Sequence, residues 1–316
     1  MNEKAKIACL GGGNAMPKAV LTGLKKYPVR IFAICAMFDT GGSSGRLRKD
    51  YDIVSPGDIR RALIALANTS PAVENLFNYR FQIGELAGHN FANLLITALE
   101  LSTNNYETTI GELRRILNIK HRVLPISLDK ANLYAVLENG QIIDGEKNID
   151  TPKHNGRLGI KRVYTEPEAK AYPNTIKALK DADLIVVGPG DLYSTIAQIF
   201  LVKEIPKTVL KSKAKTVYLP NLMTKYGETN GFSVLDFTNQ VEKWLGGSFD
   251  FILYNNFIPK EKRIRSFKKS HPELVEMVRI DKDLKEPKFI GKNLLYNKGL
   301  IEHDSEKVAK ALISLI

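Results

Sequence analysis

The sequence predicts an α/β protein of Rossmann-like build, a mainly parallel sheet with helices on both faces and a small β insertion. Three observations carry this expectation. Short apolar runs end in glycine turns that lead into helical periodicity at residues 6–24, 182–200 and 215–240, and repeated units of that kind assemble a parallel sheet. The run 31–38 is apolar almost throughout, as a strand covered on both faces must be. Alternating polarity is confined to one stretch, about residues 123–149, where a glycine turn joins two strands.

The 316 residues, 44% hydrophobic and 25% charged, suit a single domain spanning 1–316. Cys9 and Cys35 each lie inside an apolar run, so they read as small core residues in a reducing compartment, with no disulfide framework or zinc site. The N-terminal apolar segment is too short for a secretory leader and no run reaches membrane-spanning length, so a cytoplasmic location with no membrane span is expected. A net charge of +12 would suit a nucleic-acid binder, but the excess is spread along the chain. Its densest stretch, residues 260–269, reads as the solvated face of a helix, and Phe267 alone is no stacking platform. Nucleic acid is therefore not expected as a partner.

The first strand, residues 6–10, runs into Gly11, Gly12, Gly13 and Asn14, then a helix with Val20, Leu21 and Leu24 inward. This is the outline of a phosphate-binding strand, loop and helix. It is not a dinucleotide fingerprint, because Met16 stands where the third glycine belongs and no Walker lysine follows, which disfavours a nicotinamide cofactor. The second strand delivers Asp39 to Gly41, Gly42, Ser43, Ser44 and Gly45, with Arg46 and Arg48 beyond. Glycine amides, serine hydroxyls and arginines suit an anion-handling loop. Such a loop alone also reads as a linker, but an acid directly after a buried strand lies where α/β folds bind ligands. Pro56 and Gly57 turn the chain, Asp58 is placed to cap a helix carrying Ile59, Leu63 and Leu66 on one face, and Arg60 and Arg61 point near the loop.

Helical periodicity resumes at residues 71–77, and His89 and Asn90 then sit at a helix start, where Asn90 reads as the cap and His89 as a loop histidine. In the insertion, 133–137 and 141–143 alternate about the hairpin turn Glu138-Asn139-Gly140. A helix from Pro173 leads to the strand 182–187 and a second glycine turn through Gly188, Gly190, Leu192 and Tyr193. The strand 215–219 is followed by Asn221, Thr224 and Glu228, and the strand 249–254 by Asn255 and Asn256. These polar side chains follow apolar strands, so their loops converge at one edge of a parallel sheet. His303, Asp304 and Ser305 start the last helix.

Taken together, GGSSGRLR, PGDIRRALIAL, GHNFANLL, VLPISL, GPGDLYSTI, NLMTKYGETNGFSV and HDSEKVAKAL resemble the CofD-like family, most closely its gluconeogenesis-factor branch, often called YvcK. The resemblance extends over almost the whole chain. It implies a Rossmann-like fold with a site at the strand ends for a UDP-sugar such as UDP-N-acetylglucosamine, in proteins linked to central-carbon metabolism and to cell-wall and cell-shape control. On that reading the glycines 11–13 and 41–45 hold the diphosphate, Asn221 and Asn255 contact base or sugar, Asp39 accepts from a hydroxyl, and no cofactor is required for binding. The other branch resembles 2-phospho-L-lactate transferases, which use Mg²⁺ and a nucleotide-activated lactyl phosphate. On that alternative Asp39 holds Mg²⁺ and the arginines stabilise charge on the transferring group. Two departures from the gluconeogenesis-factor pattern stand out: Asn14 and Ala15 replace a Thr-Gly pair, and Thr40 replaces a second aspartate after Asp39. The latter halves the carboxylate charge available to Mg²⁺, so a binding role is expected over catalysis. A homodimer is compatible with the sequence.

Overall fold

The computed structural model describes residues 4–316. Its strands in chain order are β1 (Lys6–Gly11), β2 (Arg30–Cys35), β3 (Arg122–Pro125), β4 (Asn132–Leu137), β5 (Ile142–Asp144), β6 (Ile160–Glu166), β7 (Leu184–Val187), β8 (Lys215–Tyr218), β9 (Met223–Lys225), β10 (Phe251–Asn255), β11 (Leu274–Met277) and β12 (Phe289–Lys292). Seven of them form one sheet in the order β12-β10-β8-β7-β1-β2-β3, and every adjacent pair is parallel. The chain runs outward from β1 through β2 and β3, and in the other direction through β7, β8, β10 and β12. Because parallel crossovers are right-handed, these two directions put the connecting helices on opposite faces. Residues 7–10 and 184–187 are accordingly apolar and without exposure, as burial on both faces requires. Cys9 and Cys35 lie in this core as free thiols.

Between β1 and β7 the strand order reverses, and there the carboxyl ends of two neighbouring strands open a crevice. The Gly188 N–H donates to the Leu10 carbonyl at 2.9 Å, so the two glycine turns lie side by side at one edge of the sheet, as expected.

Two expectations need correction. Residues 122–125 do not begin the insertion; they form β3, the edge strand of the main sheet, paired with β2 from Phe32–Arg122 to Cys35–Pro125. The insertion itself is an antiparallel sheet, β5-β4-β6, whose third strand lies beyond the expected limit at 149. The alternation that would mark β6 is broken by the adjacent exposed pair Lys161 and Arg162, where pairing with β4 also shifts register between Val136 and Leu137. The second correction concerns the Gly/Ser stretch, which is not an open loop but the first turn of the helix Gly42–Tyr51. Gly45 is required there by close approach, since a Cβ would lie 2.0 Å from the Thr40 carbonyl oxygen.

Two of the expected helix caps form as read. Asn90 caps Phe91–Thr103 by accepting the Asn93 N–H at 3.1 Å, and Asp304 caps Ser305–Ile313. The basic stretch forms the helix Glu261–Ser270 with only Phe267 buried. Among the described residues no helix is long and apolar enough to cross a membrane.

Candidate functional site

A cleft runs along the carboxyl edge of the sheet, walled by the turns after β1, β2 and β7 and by the helix Glu146–Asp150 of the insertion. Three cavities of about 470, 560 and 300 Å³ adjoin there, and Asn14 and Asp191 line all of them. Those two residues therefore mark the centre of one continuous site.

The first glycine turn is shaped by what approaches it. A Cβ on Gly12 would meet Asp58 Oδ2 at 2.3 Å, and Gly13 has a φ of +59°, a region that favours glycine. Asp58 was expected as a helix cap, but it sits inside the first turn of Gly57–Leu66, behind Pro56 at the cap position. Its carboxylate instead accepts the Gly13 N–H at 3.0 Å and Arg61 Nη1 at 2.5 Å. The Gly13 N–H from outside the helix and the charged Arg61 three residues on within it outweigh a single helix N–H. Burial pushes the Asp58 carboxyl above its ordinary range, opposed by Arg61. In the second turn the Gly190 N–H donates to Asn221 Oδ1 at 2.9 Å, and Gly188 has a φ of +84°.

The start of the helix Gly42–Tyr51 is held from beneath. Ser43 Oγ lies 3.2 Å from His89 Nδ1 and accepts the Asn90 N–H at 3.2 Å, while Asn93 Nδ2 donates to Ser44 Oγ at 3.3 Å. Gly41 N–H donates to Asp39 Oδ1 at 2.7 Å. Arg60, Arg61 and Arg80 line the same 470 Å³ cavity. Arg60 donates to Asn78 Oδ1 at 3.2 Å; burial first, and then the neighbouring Arg61 and Arg80, push it down to about 10.

The carboxylates of the cleft fall into two groups. Glu146 is pushed up to about 10 by burial and then by Asp39, Asp150 and Asp58, with a hydrogen bond to Asp39 adding to the effect. At neutral pH it therefore holds a proton against Asp39. The second group surrounds Lys225, whose Nζ lies 2.5 Å from Asp150, 2.7 Å from Asp191 and 3.2 Å from Glu228, with 7% of the side chain exposed. Burial opposes its charge, but the three acids more than compensate and keep it an ammonium. Glu228 is internal, accepting the N–H groups of Tyr193 at 2.9 Å and Ser194 at 3.0 Å and the Ser194 hydroxyl at 3.0 Å.

These groups differ in what they can hold. Oxygens of Asp150, Asp191 and Glu228 lie within 4.8 Å of one another, but the ammonium of Lys225 already lies among them, so a metal ion does not fit. Asp39 and Glu146 offer oxygen ligands of the kind Mg²⁺ takes, and an arriving cation would displace the proton of Glu146.

The structure gathers most of the sequence-derived residues. Gly12, Gly13, Asn14, Asp39, Gly41, Gly42, Ser43, Ser44, Asp58, Arg60, Gly190 and Asn221 line the cleft, with Gly11 and Gly188 at the strand ends beneath it. Leu192, Tyr193 and Thr224 are buried behind it, Tyr193 packing edge-on against Trp244. His89 and Asn90 support the helix start, and Arg46 turns away to the Ala87 carbonyl at 3.0 Å. Asn255 and Asn256 stand apart: Asn255 spends its amide on Leu294 N–H and the Phe257 carbonyl, and Asn256 is exposed. Sequence reasoning missed Glu146, Asp150, Asp191, Thr195 and Lys225. Asp191 carried a signal, an acid in the turn after a buried strand; the others carried none.

Fold and cleft together define the class, a Rossmann-like α/β protein with its crevice at the point where strand order reverses. Within that class, the chain belongs to the CofD family, in its gluconeogenesis-factor branch. Residues 7–295 match the family described as 2-phospho-L-lactate transferase CofD. The gluconeogenesis factor of Bacillus subtilis is 38% identical over 327 residues, covering 100% of this chain and 99% of that protein; that of Listeria innocua is 38% identical over 324 residues, covering 99% and 96%. A crystal structure of a UPF0052 family member from Bacillus halodurans superposes with a TM-score of 0.91 at 34% identity, over 99% of this chain and 100% of that one.

Proposed function

We propose that this protein binds a UDP-sugar, such as UDP-N-acetylglucosamine, and acts as a cytoplasmic regulatory protein of the gluconeogenesis-factor type, linked to central carbon metabolism and to cell-wall and cell-shape control. The observation that carries this reading is the meeting of two glycine turns, from adjacent parallel strands, around Asn14 and Asp191 in one continuous cleft. Backbone N–H groups at such turns favour a diphosphate, and cavities of this size suit a small organic ligand. No cofactor is required for binding.

A magnesium-dependent 2-phospho-L-lactate transferase-like activity is the second reading, favoured by the pairing of Asp39 with Glu146. There the two residues would hold Mg²⁺, which supplies Lewis-acid stabilisation to a transferring phosphoryl group. Titration calorimetry with UDP-N-acetylglucosamine, in magnesium and then in chelator, separates the two. Equal affinity in both, with no product formed, is the expected result. Strict magnesium dependence accompanied by turnover would replace the first reading with the second.

A further inference from the structure

The 470 Å³ cavity, which Asp39 and Glu146 also line, holds one buried guanidinium without an ion pair. Asp58 is committed to Arg61, and Asp150 and Asp191 to Lys225. Arg60 is different: 9% exposed, it bonds to the neutral amide oxygen of Asn78, and no carboxylate among the described residues forms a salt bridge with it. Burial, and after it the repulsion of Arg61 and Arg80, disfavours its charge more than Asp58 and Asp39 favour it. Arg80, exposed, lines the same cavity and donates to the Gly88 carbonyl at 2.5 Å. A buried charge without a counter-ion is costly, and the exposed guanidinium of Arg80 on the same wall adds to the repulsion at Arg60.

Other observations on that wall point to a ligand rather than to packing. The helix Gly42–Tyr51 begins there with Gly42, Ser43 and Ser44 in the lining, its N-cap residue offering no side-chain oxygen, so its positive end faces the cavity. Asn93, 3% exposed and also in the lining, has a buried Oδ1 with no hydrogen-bond partner. Guanidinium donors and a helix N-terminus together match an oxyanion, carboxylate or phosphate, and an amide oxygen beside them matches a hydroxyl.

We propose that Arg60, Arg80 and the start of the helix Gly42–Tyr51 form an acidic-group subsite, and that the preferred ligand is a nucleotide-sugar whose sugar carries a carboxylate or phosphate. This rests on the nucleotide-sugar reading of the cleft and narrows it. The glycine turns take the diphosphate and the arginine wall selects the sugar.

Titration calorimetry with UDP-glucose and UDP-glucuronate tests it, since the two differ only by a hydroxymethyl group against a carboxylate. Wild type should bind UDP-glucuronate at least tenfold more tightly than UDP-glucose, and Arg60→Gln should bring the ratio to within about twofold. Arg80→Gln, at an exposed position, should lower the ratio by at least threefold and serves if Arg60→Gln fails to fold. Inorganic phosphate added to the titration of each sugar tells the two anions apart: a lowered affinity for UDP-glucuronate with that for UDP-glucose unchanged supports a shared acidic-group subsite, whereas phosphate that tightens UDP-glucose in the wild type and not in the variants assigns the subsite to a phosphate. Equal wild-type affinities for the two sugars, or a preference that survives both substitutions, overturns the inference while leaving the nucleotide-sugar reading intact. Binding of neither sugar overturns both.

Discussion

Lys225 Nζ lies 2.7 Å from Asp191 Oδ2, which ties β9 to the turn after β7, while its 2.5 Å bond to Asp150 ties both to the insertion. One ammonium thus joins three parts of the chain that are far apart in sequence. Lys225→Met should leave three acids facing one another without a cation, at a cost of about 3–5 kcal/mol, the range for breaking a buried ion pair from one side. The acids would take up protons in the folded variant, raising their folded-state pKa, so the deficit should be smaller at pH 5 than at pH 8. Urea unfolding at the two pH values checks this, and an equal deficit at both would contradict the electrostatic account.

Gly12 marks where the first turn passes closest to its support. With a Cβ placed 2.3 Å from Asp58 Oδ2, Gly12→Ala should push Asp58 off the Gly13 N–H, cost about 1–3 kcal/mol of stability, and weaken UDP-N-acetylglucosamine by at least tenfold. Calorimetry and urea unfolding on the same preparation measure both; a variant that binds as tightly as wild type would show that the turn does not hold the ligand.

Asp39 follows β2 at the carboxyl edge and accepts the Gly41 N–H. If its remaining oxygen takes a ligand hydroxyl, Asp39→Asn should cost about 1.5–3 kcal/mol, the worth of a hydrogen bond to a charged group, which is roughly ten to a hundredfold in affinity. The loss should be the same with magnesium and with chelator. A loss seen only in magnesium would identify Asp39 as a metal ligand.

Glu146 gives a pH signature. Its folded pKa of about 10 stands above an ordinary value of 4.5, so the unfolded chain releases the proton first. The stability that Glu146 contributes is complete below about pH 4.5 and is lost as pH rises towards its folded value. Glu146→Gln keeps the shape and cannot ionise, so it should match wild type at pH 4.5 and exceed it at pH 8, by about 2–4 °C in Tm if the group is worth roughly 1 kcal/mol. Thermal unfolding at both pH values is the measurement, and a variant less stable than wild type at pH 8 would contradict the shared proton.

Local chemistry alone determined the parallel sheet, the two glycine turns and their common edge, the caps at Asn90 and Asp304, and the burial of Cys9 and Cys35. Each follows from a run of neighbouring residues, because strand burial, turn geometry and capping act over a few positions. The tertiary structure decided what no such window contains. It turned residues 42–45 from a loop into a helix start, moved 122–125 into the main sheet, and sent Asn255 to serve the backbone around it. It also brought Glu146 and Asp150 from the insertion to Asp39 and Lys225, which are 107 and 75 residues away. Charges interact through space, at a strength set by the burial they share, so the partners of Lys225 and the unmatched charge of Arg60 exist only once the chain has folded.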